Sequence, residues 1–135
     1  MDADSGRPSI VFREIHSLPR EWGNEVIIAQ TDRYLGKVLL MAEGTKGGLQ
    51  RHIEKDETFF LYSGDALVRF DDGTGLTTRR MRSMQSVHVP PGAVHQVEAI
   101  TDCVFFETST PHYDDRVRCE AEYGLPEIGG LPTTR

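Results

Sequence analysis

The sequence predicts an all-β protein, either a small antiparallel barrel or a double-sheet jelly roll. With 135 residues the chain has the length of one ordinary domain, and its 13 glycines and 7 prolines suit a fold with many turns. From residue 22 onward, short segments with strand character alternate with breaks rich in Gly, Pro and Asp. The predicted strands cover residues 25–29, 34–42, 58–62, 66–70, 77–82, 86–89, 94–99 and 103–108.

Two polar segments flank the predicted strands. Residues 1–20 form an N-terminal arm, within which the apolar run 9–12 is expected to add a strand to a sheet edge. After the last strand the sequence becomes polar again, and we expect a short helix or turn near residues 114–123. The final segment, residues 125–135, is rich in Gly and Pro and is expected to be a loose tail.

The intervening barrel, residues 21–124, contains clear strand and turn signals. In the run from Ala66 to Phe70, the period of two predicts that the side chains of Ala66, Val68 and Phe70 face the same way. The Asp72-Gly73 pair that follows is a hairpin signal, because glycine adopts a positive φ without steric cost.

Charge and composition exclude several classes of function. The formal net charge of −6 argues against nucleic acid or an acidic membrane surface as partner, and no apolar run approaches the length of a spanning helix. Arg79, Arg80 and Arg82 form a small basic cluster, which we interpret as an exposed strand face. Because Cys103 and Cys119 match no zinc or redox spacing and no signal peptide is visible, we expect reduced thiols in a cytoplasmic protein.

Four side chains form a candidate metal site. Gln50 and His52 are two residues apart and would share one face of a strand, and Glu57 begins the next predicted strand. His95 follows the Pro-Pro-Gly turn that precedes another strand. Two imidazoles, a carboxylate and an amide oxygen suit a divalent metal such as zinc, iron, manganese or nickel.

The spacing of these residues resembles the first motif of the cupin superfamily. That motif runs Gly, five residues, His-x-His, three or four residues, Glu, six residues, Gly, and this chain matches it from Gly44 to Gly64. Gln50 stands where most cupins have the first His. The resemblance implies an RmlC-like fold, a double-stranded antiparallel β-helix forming a jelly-roll barrel, with Gln50, His52, Glu57 and His95 as metal ligands.

The second cupin motif is also similar, with Pro90-x-Gly92 two residues before His95. The glycine that opens this motif and the asparagine that closes it are replaced by Met84 and Ala99. Together the two motifs cover about residues 36–108.

Within the cupins, the chain most resembles the small cupins similar to the cupin domain of mannose-6-phosphate isomerases. The similarity extends over about residues 19–124, through a Trp-Gly element at 22–23 and an Asp-Asp-x-x-Arg…Tyr-Gly element at 114–124. The arginine that follows Tyr-Gly in that family is replaced by Leu125, which argues against mannose 6-phosphate itself as substrate.

This resemblance implies a metal-dependent isomerase or epimerase of a sugar or sugar phosphate, working through a metal-stabilised enediolate. Zinc is the expected metal, with iron, manganese or nickel as alternatives. His112 or Glu54 would move the proton, and Arg51 and Lys55 would bind an anionic group of the small-molecule substrate. Related cupins are commonly dimeric, which implies a homodimer.

Two other functions remain open at this point. Residues 55–59 are also similar to metal-dependent cupins of natural-product biosynthesis, which include dioxygenases, dehydratases and the cupin part of hydrazine-forming synthetases. A cupin that binds a small molecule without catalysis is the third possibility.

Overall fold

The structure is a computed structural model and describes residues 6–135, so the first five residues of the predicted arm lie outside the described part. Within it, the chain forms eleven strands and one short 3-10 helix, Glu120–Tyr123. The strands are β1 His16–Arg20, β2 Gly23–Gln30, β3 Leu35–Met41, β4 Gln50–Arg51, β5 Glu57–Ser63, β6 Asp65–Asp71, β7 Leu76–Arg82, β8 Ser86–Val89, β9 His95–Ala99, β10 Cys103–Ser109 and β11 Val117–Arg118.

The strands form two antiparallel sheets, which confirms the all-β prediction. The six-stranded sheet has the order β1-β2-β3-β10-β5-β8, and the five-stranded sheet has the order β11-β4-β9-β6-β7. No strand pairing joins the two sheets within residues 6–135, so the architecture is a two-layer jelly roll and not the closed barrel of the prediction.

The core lies between the sheets and follows the period of two that strands impose. Ala66 and Val68 are buried and Phe70 packs against them, so the predicted inward face of β6 is confirmed. On β5, Phe59 and Leu61 are also buried, and the Phe59 ring meets Phe105 edge-on at a centroid distance of 5.8 Å. These side chains fix the inward face of β5, the face that carries Glu57 at its first residue.

Two turns illustrate how the sequence sets the strand connections. The predicted hairpin at Asp72-Gly73 joins β6 to β7, and Gly73 has a φ of 97°. The connection from β7 to β8 contains Met84 at a φ of 72°, in the left-handed region where glycine is favoured. Met84 stands where the second cupin motif has its opening glycine, and its backbone adopts a conformation that favours glycine.

The N-terminal edge differs from the prediction. Residues 9–12 were expected to form a strand, but residues 6–15 form none, and β1 lies at His16–Arg20 instead. β1 pairs with β2 over its whole length, from His16 opposite Ile27 to Arg20 opposite Gly23. The two-residue strands β4 and β11 were not predicted, because each is defined only by its pairing across the fold.

The C-terminal segment packs against the fold, whereas a loose tail was expected. Thr134 exchanges hydrogen bonds with the backbone of Arg116, and Gly130 lies against the backbone of Gly48. The short helix expected near residues 114–123 is present as the 3-10 helix. The domain limits at residues 20 and 124 stay a prediction.

Both cysteines are buried and unpaired, as expected for reduced thiols. None of the helices within residues 6–135 is long and apolar enough to cross a membrane.

Candidate metal centre

Three strand ends bring the predicted ligands together. β4 carries Gln50 and ends just before His52, β5 begins at Glu57, and β9 begins at His95. Gln50 lies directly opposite His95 in the β4–β9 pair, so their side chains share one face. The amide of Gly92 donates to the carbonyl oxygen of His52 at 2.7 Å, which ties the turn before β9 to the end of β4.

His52, Glu57 and His95 form a compact buried cluster. Their candidate ligand atoms all lie within 4.8 Å of one another. Nε2 of His52 is 2.9 Å from one carboxylate oxygen of Glu57, and Nε2 of His95 is 4.0 Å from the other. The two imidazole rings are tilted, with a centroid distance of 5.2 Å.

The hydrogen bonds of the two histidines fix their tautomers. Nδ1 of His52 lies 2.6 Å from the carbonyl oxygen of Asp115, and Nδ1 of His95 lies 3.0 Å from the carbonyl oxygen of Ala93. Because a carbonyl oxygen can only accept, Nδ1 carries the proton when either ring is neutral, and Nε2 of that ring then presents a lone pair toward Glu57.

The electrostatics keep this cluster in a ligating state. Burial lowers the pKa of His95, so its ring stays neutral. Burial alone would raise the pKa of Glu57, but the positive charge of Lys55 holds it well below its ordinary range. A neutral imidazole and an ionised carboxylate are the forms that bind a metal.

These groups fit a divalent cation. Nε2 of His52 and the Glu57 oxygen nearest to it are buried, and neither makes a hydrogen bond with a described residue, although Nζ of Lys55 lies 3.2 Å from that oxygen. Two lone-pair-bearing atoms held 2.9 Å apart in a buried site repel each other unless a metal ion or a shared proton lies between them. Gln50 lines the same cavity and can supply a fourth oxygen ligand.

A row of buried charges extends from the cluster along the inner face of the six-stranded sheet. Nζ of Lys55 lies 3.2 Å from Glu57 and 2.8 Å from Glu107. Nζ of Lys37 lies 3.2 Å from Glu25 and 3.9 Å from Glu107. Burial alone would lower the pKa of Lys55, but the carboxylates of Glu107 and Glu57 raise it well above its ordinary value, so this lysine stays protonated.

The cluster and the charged row line one cavity of about 130 Å³, which we call the metal cavity. Trp22 and Phe105 form apolar parts of the cavity wall, and Tyr113 and Arg20 form polar parts of it. The Arg20 guanidinium donates to the Tyr113 hydroxyl at 3.3 Å and to Glu25 at 3.2 Å. The cavity therefore offers several hydrogen-bond donors and acceptors next to the candidate ligands.

Of the four residues predicted for catalysis or substrate binding, Lys55 alone lines this cavity. Arg51 does not, because it alternates with Gln50 on β4 and its guanidinium pairs instead with Glu122 at 2.9 Å. The expectation that Arg51 binds the substrate beside the metal is therefore corrected.

Glu54 and His112, which were expected to move the proton, also lie outside the lining of the metal cavity. Glu54 is exposed in the turn between β4 and β5 and pairs with Arg135 at 3.0 Å. Nδ1 of His112 is 2.8 Å from the hydroxyl of Thr110, and His112 is not among the residues that line the metal cavity. Neither side chain therefore lines the cavity next to the candidate ligands.

Sequence reasoning missed three residues that build the site. Lys37 lies between Leu35 and Leu39 on the inward face of β3, and Glu107 follows Phe105 on the inward face of β10. A charged residue at an inward position of an apolar strand could have indicated a functional site. Asp115 orients His52 and accepts hydrogen bonds from the backbone of residues 53–55. No local sequence pattern predicts that Asp115 positions His52, because the two residues are separated by about half of the chain.

Comparison with known proteins places the chain among sugar-related cupins. The family model for the C-terminal region of mannose-6-phosphate isomerase matches residues 10–106. Mannose-1-phosphate guanylyltransferase 2 of Escherichia coli O157:H7 is 30% identical over 109 residues, which cover 77% of this chain and 22% of that protein. Mannose-1-phosphate guanylyltransferase of Sinorhizobium fredii is 27% identical over 85 residues, 62% of this chain and 16% of that protein. The chain therefore spans less than a quarter of these relatives.

Solved structures share the fold at low sequence identity. The capsular polysaccharide assembling protein CapF from Staphylococcus aureus superposes with a TM-score of 0.67 and 22% identity, covering 78% of this chain and 34% of that one. A variant of oxalate decarboxylase from Bacillus subtilis gives a TM-score of 0.68 at 13% identity, covering 84% and 36%. An RmlC-like cupin from Shewanella frigidimarina gives 0.59 at 14% identity, covering 67% and 78%.

These neighbours confirm the predicted cupin fold, and the family match covers most of the chain. The chain belongs to the mannose-6-phosphate isomerase C-terminal family of cupin domains.

Proposed function

We propose that this cupin is a metal-dependent isomerase or epimerase of a small sugar or sugar phosphate. The observation that carries the proposal is the buried His52, Glu57 and His95 cluster on the wall of a cavity rich in charged side chains. A polyhydroxylated substrate suits such a cavity, because each hydroxyl can both donate and accept a hydrogen bond.

His52, Glu57 and His95 would hold the metal, with Gln50 as the fourth ligand, and zinc is the metal we propose. When bound, zinc acts as a Lewis acid that polarises a carbonyl group and stabilises negative charge as it develops on oxygen. The backbone carbonyls of Asp115 and Ala93 orient the two imidazoles.

We assign the proton-transfer role to Glu107 in place of His112 and Glu54. Glu107 is buried on the wall of the metal cavity, and Lys55 bridges it to Glu57, so its carboxylate lies beside the metal cluster. Nζ of Lys55 and Nζ of Lys37 lie 2.8 and 3.9 Å from the Glu107 carboxylate and fix its position on the cavity wall. The protonated Lys55 also supplies positive charge next to the site where an oxygen becomes negative during the reaction.

The relatives favour a sugar phosphate among the candidate substrates. Both curated relatives are named for a mannose phosphate, and the matching family model is named for mannose 6-phosphate. The chain covers a small part of those proteins, so the substrate comes to it only as part of this proposal. The homodimer and the cytoplasmic location also remain proposals.

Solvent deuterium exchange tests the reaction. The zinc-loaded protein would be incubated in D₂O with a panel of aldoses, ketoses and their phosphates, and deuterium at the carbon next to the carbonyl would be followed by NMR. We expect exchange with at least one sugar, and its loss in Glu107→Gln with zinc still bound. No exchange with any sugar, together with iron-dependent oxygen uptake, would contradict the isomerase and favour the oxygenase alternative.

A further inference from the structure

A second cavity lies where the two sheets are open to each other, and we call it the seam cavity. It is bounded by β7 and β8, the last strands of the five-stranded and six-stranded sheets. Its volume is about 440 Å³, compared with about 130 Å³ for the metal cavity, and falls within the range of small-molecule sites. The apolar part of the wall is formed by Val68, Phe70, Met81, Val87, Val89 and Ala93.

Two solvent-exposed arginines, Arg79 and Arg80, also line the seam cavity. Arg79 is directly opposite Val68 in the β6–β7 pair, so it projects from the same inward face of the sheet. Arg80 and Arg82 alternate with it and occupy the outer face, where Arg80 pairs with Asp65 at 3.1 Å. All three arginines of the basic cluster are exposed, as expected, but they are divided between the two faces of β7 and do not share one face.

The other charged groups around the seam cavity have partners. Asp71 accepts a hydrogen bond from the Tyr123 hydroxyl at 2.5 Å, and His88 lies 2.7 Å from Asp56. Arg79, in contrast, makes no hydrogen bond or ion pair with any residue between 6 and 135. Arg79 lies at the exposed rim of an apolar cavity and no carboxylate pairs with it, so its guanidinium is available to an anion from solution.

We propose that the seam cavity is a second binding site, for an organic monoanion with an apolar body, whose anionic head pairs with Arg79. The apolar wall would bury a medium-chain or aromatic group, and the Arg79 guanidinium would donate hydrogen bonds to a carboxylate at the rim. His95 lines both cavities, so the bound molecule would lie against a residue of the metal cluster. The site does not depend on the sugar chemistry proposed above.

Calorimetric titration with octanoate tests the charge requirement. We expect octanoate to bind in the millimolar range or tighter, and Arg79→Met to weaken it roughly tenfold, because a charge-assisted pair is lost. Arg82→Met, on the outer face of the same strand, should bind as the wild type does. Octanol, which lacks the charge, should bind the wild type and Arg79→Met equally.

Methyl NMR locates the bound octanoate. Shifts should concentrate on Val68, Val87 and Val89, and Val87→Trp should abolish them by filling the cavity. Three results would overturn the proposal. Octanoate could fail to bind, it could bind Arg79→Met as tightly as the wild type, or it could shift the methyl signals of Val38 and Val104 on the outer sheet face instead. His52→Ala should retain octanoate affinity, which separates this result from any failure of the metal site.

Discussion

The backbone carbonyl oxygen of Asp115 lies 2.6 Å from Nδ1 of His52, and the carboxylate of the same aspartate caps the turn that follows His52. That carboxylate accepts from the amides of Ile53, Glu54 and Lys55 at 2.9, 2.6 and 2.9 Å. Asp115 therefore fixes both the tautomer of a candidate ligand and the backbone that leads to Glu57. The segment before β11 is thus a structural part of the metal centre, although it supplies no ligand itself.

Replacing Asp115 should weaken metal binding without removing a ligand. Asp115→Asn leaves an amide that cannot accept three backbone hydrogen bonds as a carboxylate does, so the turn after His52 loosens. We expect zinc affinity to fall about 10- to 100-fold and the free energy of unfolding to fall by about 2 kcal/mol, measured by calorimetry and urea denaturation. Asp114→Asn is the matched control and should change neither quantity; equal effects in both variants would contradict this role.

The stability supplied by Asp115 should depend on pH. Burial alone would raise its pKa, but the three backbone amides lower it to about 2 from an ordinary value of 3.8. A carboxyl group whose folded-state pKa is depressed stabilises the fold above its unfolded pKa, and this contribution is lost as the pH falls toward the folded value. The stability difference between wild type and Asp115→Asn should therefore be full at about pH 6 and shrink between about pH 4 and pH 2. A difference that stays constant on acidification would contradict this assignment.

Lys55 should be essential for stability as well as for the site. Lys55→Met would leave Glu57 and Glu107 buried without their shared cation, which typically costs about 3–5 kcal/mol of unfolding free energy. Lys46→Met is a suitable comparison. Lys46 pairs with Glu98 at 3.8 Å, both side chains are partly exposed, and such pairs contribute less than about 1 kcal/mol. Urea denaturation of the two variants compares them directly, and similar losses would show that the row is not a buried ionic network.

Met84 offers a stabilising substitution. At a φ of 72° a side chain that carries a Cβ is strained by roughly 1–2 kcal/mol, and glycine removes that strain at a cost of roughly 0.5–1 kcal/mol in unfolded-chain entropy. Because Met84 is exposed and contributes little packing, Met84→Gly should raise the free energy of unfolding by up to about 1 kcal/mol. Met84→Ala keeps the strain and should give no gain in urea denaturation; a gain from alanine equal to that from glycine would contradict the explanation.

The fold and the ligand positions could be predicted because they depend on local signals. The eight predicted strands are all present, with ends within about two residues, since period-two alternation and turn residues are short-range features. The candidate ligands Gln50, His52, Glu57 and His95 could be predicted in the same way, from their spacing in the sequence.

The rest of the site depends on contacts between distant segments. Arg51 and Glu54 flank the ligands in sequence, yet each is drawn outward by a partner from the C-terminal region, Glu122 and Arg135. Lys37 and Glu107 come from the neighbouring strands β3 and β10, and only the sheet order places them side by side. Proximity along the chain is therefore a poor guide to which side chains face the cavity.

Zinc titration of the metal-free protein tests the central claim most directly, that His52, Glu57 and His95 form a metal site. Calorimetry with elemental analysis should show one zinc ion per chain, with affinity reduced at least about 100-fold in His52→Ala and in His95→Ala because a direct ligand is lost. His88→Ala, which removes an exposed histidine outside the metal cavity, should bind zinc as the wild type does. A wild-type protein that binds no divalent metal, or ligand variants that bind as tightly as wild type, would contradict the account.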